Sequence, residues 1–299
     1  MKFMLICLLI AHSLLIACTP NTPKSRETPT PVETSQHVDL SALLPIKVTQ
    51  TTPLQWGETH RVLSQILGME RKINIYLPSH YDETENRTYP VLYVLDGGAE
   101  QDLPFFIGAV YAATLRATME DMIIVGIETE NRMHELTFKT PQKIYNKKWP
   151  DNGGSDEFYT YVRGEVIPFI ERNYHTSSQR ALFGESLAGL FTVETFLKHP
   201  DSFDTYIAIS PSLWWGAEEL SHNAAQYLTK FDGQARRLYL TLGDEGGSMQ
   251  TGMDSLVAAL TKSAPSSLNW IYNPQPNEHH DTIFLPQTVH ALTVLFSKK

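Results

Sequence analysis

Apolar residues occur along most of the chain in short runs that predict strands. Residues 71–77 alternate polar and apolar side chains with a period of two, and predict a strand paired antiparallel with residues 60–67. Residues 90–95 and 122–127 are continuous apolar runs, typical of strands covered on both faces. Further short strands are predicted at residues 180–183, 205–209, 238–242 and 268–272.

Between these runs, apolar residues recur at helical spacing. One such face lies between residues 158 and 170, where Pro168 is expected to kink or end the helix. A second face runs from Met249 to Leu260, and residues 285–296 predict a last helix. Repeated strand–helix units predict an α/β fold, with a mainly parallel central sheet and helices on both faces. With no second linker and no repeat, residues 37–299 are expected to form one domain.

The first 36 residues have a different composition from the rest of the chain. Lys2 precedes an apolar run that ends at Ala17, and residues 1–17 are expected to be a signal peptide. The sequence from Leu15 to Cys18 resembles the lipobox of bacterial lipoproteins. That resemblance implies cleavage before Cys18 and its lipidation, with Thr19 in the next position favouring the outer membrane. Residues 18–36 are rich in proline and threonine and predict an extended tether.

Charge and cysteine content exclude several functions. The formal net charge is −9, which disfavours a nucleic-acid partner. The two cysteines, Cys7 and Cys18, both lie in the export segment, so the domain has no thiol nucleophile and no cysteine-ligated metal. The sequence contains no phosphate loop or dinucleotide motif, and no cofactor or metal is predicted.

Ser186 is the strongest candidate for a nucleophile. It follows the predicted strand 180–183, precedes a helical stretch, and has small residues two positions before and after it, Gly184 and Ala188. A serine on such a strand-to-helix turn is typical of a nucleophile elbow, although the usual motif has glycine where this chain has Ala188. The amides at the start of the following helix favour negative charge beside the serine.

A nucleophilic serine needs a base, and on this architecture the chain order is serine, acid, histidine. The acid is expected after strand 238–242, where Asp244 and Glu245 lie. The histidine is expected after the last strand, where His279 and His280 lie. Both loops therefore carry the residue types that Ser186 requires.

From about residue 60 onward, the chain resembles the putative-esterase family of α/β-hydrolases, which includes ferric enterobactin and salmochelin esterases. The resemblance rests on residues 75–78 (IYLP), 92–98 (LYVLDGG), 153–158 (GGSDEF), the elbow and residues 210–215 (SPSLWW). It implies the α/β-hydrolase fold. The Glu-x-His pattern ending at His280 resembles the siderophore-esterase branch, which favours His280 as the base over His279. The resemblance also favours Glu245 over Asp244 as the acid.

An oxyanion hole needs two backbone donors. We expect them at Leu187, directly after the nucleophile, and at Gly97 or Gly98 in the loop after strand 90–95, with Gly98 preferred. Arg132 lies in a segment that resembles one whose arginine faces the active-site mouth in this family, and it is expected to hold an anionic oxygen of the substrate.

Aromatic residues supply a second candidate contact to the substrate. Trp214 and Trp215 are both candidates for an aromatic wall, with Trp214 preferred, and buried packing is expected for at least one of them.

These residues predict a lipid-tethered serine esterase of the bacterial cell envelope that acts on a small-molecule ester, either a siderophore ester or another acyl ester. The alternatives are an acyltransferase, a peptidase that uses the same triad, and a binding lipoprotein without catalysis. The oligomeric state is not predicted.

Overall fold

The computed structural model describes residues 46–231 and 233–298. The predicted signal peptide, Cys18, the tether and the predicted domain start at residue 37 lie outside the described residues. Residues 46–52 are exposed and contain no helix or strand. The compact unit that carries the candidate residues spans Pro53–Lys299.

Within the described residues, eight strands form one sheet with the order β1-β2-β4-β3-β5-β6-β7-β8. The strands are β1 Glu58–Leu63, β2 Glu70–Tyr76, β3 Tyr89–Leu95, β4 Ile123–Ile127, β5 Thr176–Glu185, β6 Thr205–Ile209, β7 Arg236–Thr241 and β8 Leu268–Tyr272. Strand β2 pairs antiparallel with β1 and β4, and all other pairs are parallel. The predicted α/β fold with a mainly parallel sheet is confirmed.

Helices cover both faces of this sheet. They are α1 Leu103–Leu115, α2 Arg132–Glu135, α3 Lys143–Lys148, α4 Ser155–Tyr161, α5 Ile167–Asn173, α6 Leu187–Lys198, α7 Trp215–His222, α8 Ala224–Leu228, α9 Gly247–Ser263 and α10 Phe284–Phe296. Apolar residues of α1 and α10 pack into one buried cluster, and those of α4 to α9 pack into a second cluster. The central strands are buried by both, which explains their continuous apolar runs.

At Pro168 the sequence predicts a kink or an end of the helix, and the structure shows that the helix does not end there. Helix α4 continues through a π turn at Val162–Val166 into α5, in which Pro168 occupies the first turn. Proline has no amide hydrogen, and a widened turn just before it accommodates the missing hydrogen bond. The apolar face between residues 158 and 170 therefore stays continuous instead of ending at the proline.

The parallel strands place the candidate residues at one edge of the sheet. Asp96, Ser186 and Ser210 follow the carboxyl ends of β3, β5 and β6, and Glu245 follows β7. Ligand sites of open α/β sheets lie at this edge. Among the helices of residues 46–231 and 233–298, none combines the length and apolar character needed to cross a membrane.

Candidate active site

Ser186 occupies the sharp turn between β5 and α6. Its φ of 58° and ψ of −117° are rare for a residue with a side chain, and such strain costs roughly 1–3 kcal/mol. A Cβ at Gly184 would overlap the carbonyl oxygen of Ala188, and one at Gly189 would lie 2.9 Å from the Cα of Pro211. Small residues are therefore required where α6 approaches β5 and the loop after β6.

His280 lies between Ser186 and Glu245 in the loop that leads to α10. Its Nε2 atom is 2.9 Å from Ser186 Oγ, and its Nδ1 atom is 2.7 Å from Glu245 Oε2. When Nδ1 donates its proton to Glu245, Nε2 is left to accept the serine proton. Three loops that are distant in sequence thus bring a serine hydroxyl, an imidazole and a carboxylate into a chain of hydrogen-bond contacts.

The alternative candidates have other partners. The Nδ1 atom of His279 lies 3.2 Å from the carbonyl oxygen of Asp244, and the Asp244 amide donates to the Glu278 carbonyl at 2.7 Å. These contacts join the two loops to each other. The geometry therefore favours His280 over His279, and Glu245 over Asp244.

The pair of Glu245 and His280 is electrostatically coupled. Burial alone would raise the pKa of Glu245, but hydrogen bonds from His280 and Ser210 outweigh it and hold that pKa below its ordinary value. The hydrogen bond with Glu245 raises the pKa of His280 against the opposing effect of burial, and the nearby Glu185 carboxylate acts in the same direction. His280 is therefore a stronger base than a free imidazole.

Two further serines lie in the site, and the sequence did not indicate their roles. The Ser210 hydroxyl donates to Glu245 and lies 3.0 Å from His280 Nδ1, while Ser212 Oγ is 3.4 Å from Ser186 Oγ. Ser210 has a φ of 44°, which turns the chain sharply after β6. Their position directly after a strand that neighbours β5 was the available signal.

The predicted oxyanion donors differ in availability. Leu187 is the first residue of α6, so its amide has no partner within that helix. The Gly98 amide donates to Gln101 Oε1 at 2.9 Å, and the Gly97 amide donates to the Ile127 carbonyl at 2.9 Å. The Gln101 side chain thus occupies the Gly98 amide in this conformation, and the role of Gly98 as an oxyanion donor stays a prediction.

Arg132 is ion-paired within the protein. Its Nε atom lies 3.0 Å from both carboxylate oxygens of Asp96, and its Nη2 atom is 2.8 Å from one of them. The side chain is still 42% exposed. Asp96 already neutralises much of the positive charge of Arg132, so an anionic substrate oxygen would share this guanidinium with Asp96. The role of Arg132 in substrate binding stays a prediction.

Trp214 forms part of a half-buried aromatic cluster, and Trp215 is fully buried. The Trp214 ring stacks on Tyr145 at 6.0 Å and tilts against Trp149 at 5.5 Å. The indole N–H of Trp215 donates to the Phe138 carbonyl at 2.9 Å. An open cavity of about 430 Å³ is lined by Ile144, Tyr145, Lys148, Trp149 and Trp214. Trp214 lies two residues after Ser212 in the chain, and Ser212 Oγ is 3.4 Å from Ser186 Oγ.

The site consists of hydroxyl, imidazole, carboxylate and guanidinium groups. In the part of the chain that the structure describes, no group of three or more His, Cys, Asp or Glu residues is arranged to hold a metal ion.

Comparison with known families agrees with this geometry. Residues 64–280 match the family described as "Putative esterase", and that range includes Ser186, Glu245 and His280. The chain belongs to this family. It is a carboxylic ester hydrolase, as the sequence predicted, and the resemblance to the putative-esterase family is confirmed.

Individual relatives of this esterase are moderately similar. The uncharacterized protein YbbA of Bacillus subtilis is 26% identical over 251 residues, which cover 79% of this chain and 96% of YbbA. The ferri-bacillibactin esterase BesA of the same species is 32% identical over 174 residues, or 52% of this chain and 60% of BesA. The crystal structure of an IroE-like serine hydrolase from Shewanella oneidensis superposes with a TM-score of 0.71 at 25% identity, covering 80% of each chain.

Proposed function

We propose that this esterase hydrolyses siderophore esters through an acyl-enzyme formed on Ser186. The observation that carries the proposal is the alignment of Ser186 Oγ, His280 and Glu245, joined by contacts of 2.9 and 2.7 Å. The similarity to a relative named as a ferri-bacillibactin esterase supports the substrate class.

In the first half of the reaction, Ser186 Oγ attacks the ester carbonyl while His280 Nε2 takes its proton. Glu245 stabilises the imidazolium that forms, and it keeps Nδ1 protonated throughout. The Leu187 amide donates to the oxyanion of the tetrahedral intermediate. The bond to the leaving alcohol then breaks, and His280 returns its proton to the alcohol oxygen.

In the second half, water attacks the acyl group on Ser186. His280 Nε2 takes a proton from that water, and the second tetrahedral intermediate breaks down to release the acid. The proton then passes from Nε2 to Ser186 Oγ, which restores the starting state. The Gly98 amide can act as the second oxyanion donor only after its hydrogen bond to Gln101 Oε1 breaks.

The aromatic cluster that contains Trp214 favours a substrate with a planar acyl group. Tyr145, Trp149 and Trp214 present stacked rings on an open cavity, and Lys148 Nζ lies 4.2 Å from the centre of the Trp149 ring. Rings of this kind favour offset stacking on another aromatic group. A catechol carried by a siderophore ester has that shape, and its anionic oxygens would be attracted by Lys148.

A hydrolysis panel tests the substrate class. The full chain is incubated with enterobactin, its linear fragments, a hydroxamate siderophore ester and ethyl butyrate, and the products are followed by mass spectrometry. We expect kcat/KM to be highest for the catecholate esters, and Trp214→Ala to raise KM for them more than for ethyl butyrate. Equal kcat/KM values for all of these esters would contradict the proposal.

We further propose that the mature protein is anchored to the bacterial outer membrane through lipid on Cys18. The lipobox-like sequence before Cys18 and the proline-rich tether after it support this location. Several acyl chains on one residue give stable membrane attachment, since each buried methylene contributes roughly 0.8 kcal/mol.

Metabolic labelling with a palmitate analogue in a bacterial host tests the anchor. We expect label on the wild-type protein, recovery with outer-membrane fractions, and loss of both in Cys18→Ser. Cys7→Ser is the matched control and should keep the label. Labelling that persists in Cys18→Ser would contradict lipidation at this residue.

A further inference from the structure

The carboxyl group of Glu185 lies beside the catalytic base, although neither the elbow motif nor the triad assigns it a role. Glu185 ends strand β5 directly before Ser186. Its Oε1 atom is 3.5 Å from His280 Nε2, the same atom that lies 2.9 Å from Ser186 Oγ. The side chain is only 18% exposed, so solvent screens this charge weakly. His280 therefore has a carboxylate at each of its two ring nitrogens, with Glu245 at Nδ1.

Charged groups surround Glu185 on several sides. His280 and Arg132 favour its ionised form, and Asp102 and Asp96 oppose it. Burial is the largest effect and raises the pKa of Glu185 to about 7. Because each group shifts the pKa of the other, Glu185 and His280 titrate as a coupled pair. The charged groups that face His280 are Glu245, Glu185 and Arg132, of which only Arg132 lowers its pKa.

We propose that Glu185 is a positioning residue that sets the pH range of the esterase by holding a proton on His280 Nε2. This inference rests on the proposed function of Ser186 and His280. During acylation the proton moves from Ser186 Oγ to Nε2 and then to the leaving alcohol. A carboxylate at 3.5 Å stabilises the imidazolium in between. The same carboxylate also stabilises the imidazolium of the resting enzyme, in which Nε2 no longer accepts the serine proton.

Two consequences follow for Glu185→Gln, which keeps the side-chain size and removes the charge. The acid limb of kcat/KM moves to lower pH by about half a unit or more, because His280 loses a neighbour that favours its charged form. The plateau at high pH falls severalfold, because the imidazolium of the transition state loses the same stabilisation. A residue with only a structural role would lower the activity at every pH without moving the limb.

The experiment compares pH profiles of kcat/KM for p-nitrophenyl butyrate between wild type, Glu185→Gln and Glu185→Asp. Glu85→Gln is the matched control, since Glu85 is exposed and precedes β3 at the opposite edge of the sheet. We expect Glu185→Gln to move the low-pH limb of the profile to lower pH, Glu185→Asp to move it less because a carboxylate is kept, and Glu85→Gln to leave it in place. An acid limb that Glu185→Gln leaves in place, or that Glu85→Gln moves equally, would overturn the proposal.

A substrate-free measurement separates this inference from the proposed function. The imidazole titration of His280 is followed by NMR in the full chain, with the signal assigned by its loss in His280→Gln. A lower pKa of His280 in Glu185→Gln supports the coupling, and an unchanged pKa overturns it, whether or not esters are hydrolysed. If Glu185→Gln does not fold, Glu185→Ala is measured instead. It removes the same charge, so the pKa of His280 must fall, and no fall overturns the proposal.

Discussion

The hydroxyl of Ser210 donates a hydrogen bond to Glu245, whose other carboxylate oxygen lies 2.7 Å from His280 Nδ1. Ser210 follows β6, and Glu245 follows the neighbouring strand β7. The Glu245 carboxylate is thus held from two sides, by His280 and by a hydroxyl on the adjacent strand. This arrangement makes Ser210 a support of the proposed triad.

Ser210→Ala should lower kcat about tenfold, because a hydrogen bond to a charged group contributes about 1.5 kcal/mol. The pKa of Glu245 should rise, since one of the hydrogen bonds that lower it is lost. Steady-state kinetics of p-nitrophenyl butyrate hydrolysis measure the effect. Ser221→Ala, which removes a buried hydroxyl without a hydrogen-bond partner in the described structure, is the control. Equal kcat values in the two variants would argue against the supporting role.

Glu245→Gln should reduce kcat by about 10²–10⁴-fold, because the amide no longer stabilises the imidazolium and favours the wrong tautomer of His280. The neighbouring Asp244→Asn makes the same chemical change at a side chain that does not contact His280, and should leave kcat within about twofold. Comparing the two variants decides which residue is the acid. A larger loss in Asp244→Asn would reverse the assignment.

Alanine substitutions at two glycines should change the free energy of unfolding in opposite directions. Gly184→Ala places a methyl group on the Ala188 carbonyl, and we expect it to destabilise the fold by roughly 1–3 kcal/mol and to lower activity. Gly108 lies in helix α1 with open space around its missing Cβ, so Gly108→Ala should stabilise by roughly 0.5–1 kcal/mol. Urea unfolding curves measure both changes, and a stable Gly184→Ala would contradict the close packing of the elbow.

Asp102→Asn should make stability less dependent on pH. Burial raises the pKa of Asp102 to about 6, so the folded state binds this proton more tightly than the unfolded chain. That stabilisation is present below the unfolded pKa near 3.8 and is lost as the pH rises through 6. From pH 4 to pH 8, the free energy of unfolding of the variant should rise by about 1–2 kcal/mol relative to that of the wild type, after allowance for solvent screening. The same pH dependence of the free energy of unfolding in both proteins would contradict this prediction.

The sequence located most of the sheet because burial on both faces leaves continuous apolar runs in the strands. It also placed Ser186, Glu245 and His280 in three loops that the structure brings together, because the carboxyl ends of parallel strands meet at one edge. Contacts between side chains from different loops could not be predicted from the sequence. They depend on rotamers and loop conformations that the order of residues does not show. Examples are the ion pair between Arg132 and Asp96 and the hydrogen bond from the Gly98 amide to Gln101. The π turn before Pro168 could not be predicted either, and it lets the helix continue through a residue that usually kinks or ends helices.

The nucleophilic role of Ser186 is tested by its reaction with a covalent inhibitor. The full chain is treated with a fluorophosphonate, and the adduct is mapped by peptide mass spectrometry. Turnover of p-nitrophenyl butyrate is measured in the wild type and in Ser186→Ala. Equal thermal unfolding temperatures of the two proteins show that the variant is folded. We expect one adduct on Ser186 in the wild type, and loss of both adduct and turnover in Ser186→Ala. Turnover at the wild-type rate in Ser186→Ala, or an adduct on another serine, would show that Ser186 is not the nucleophile.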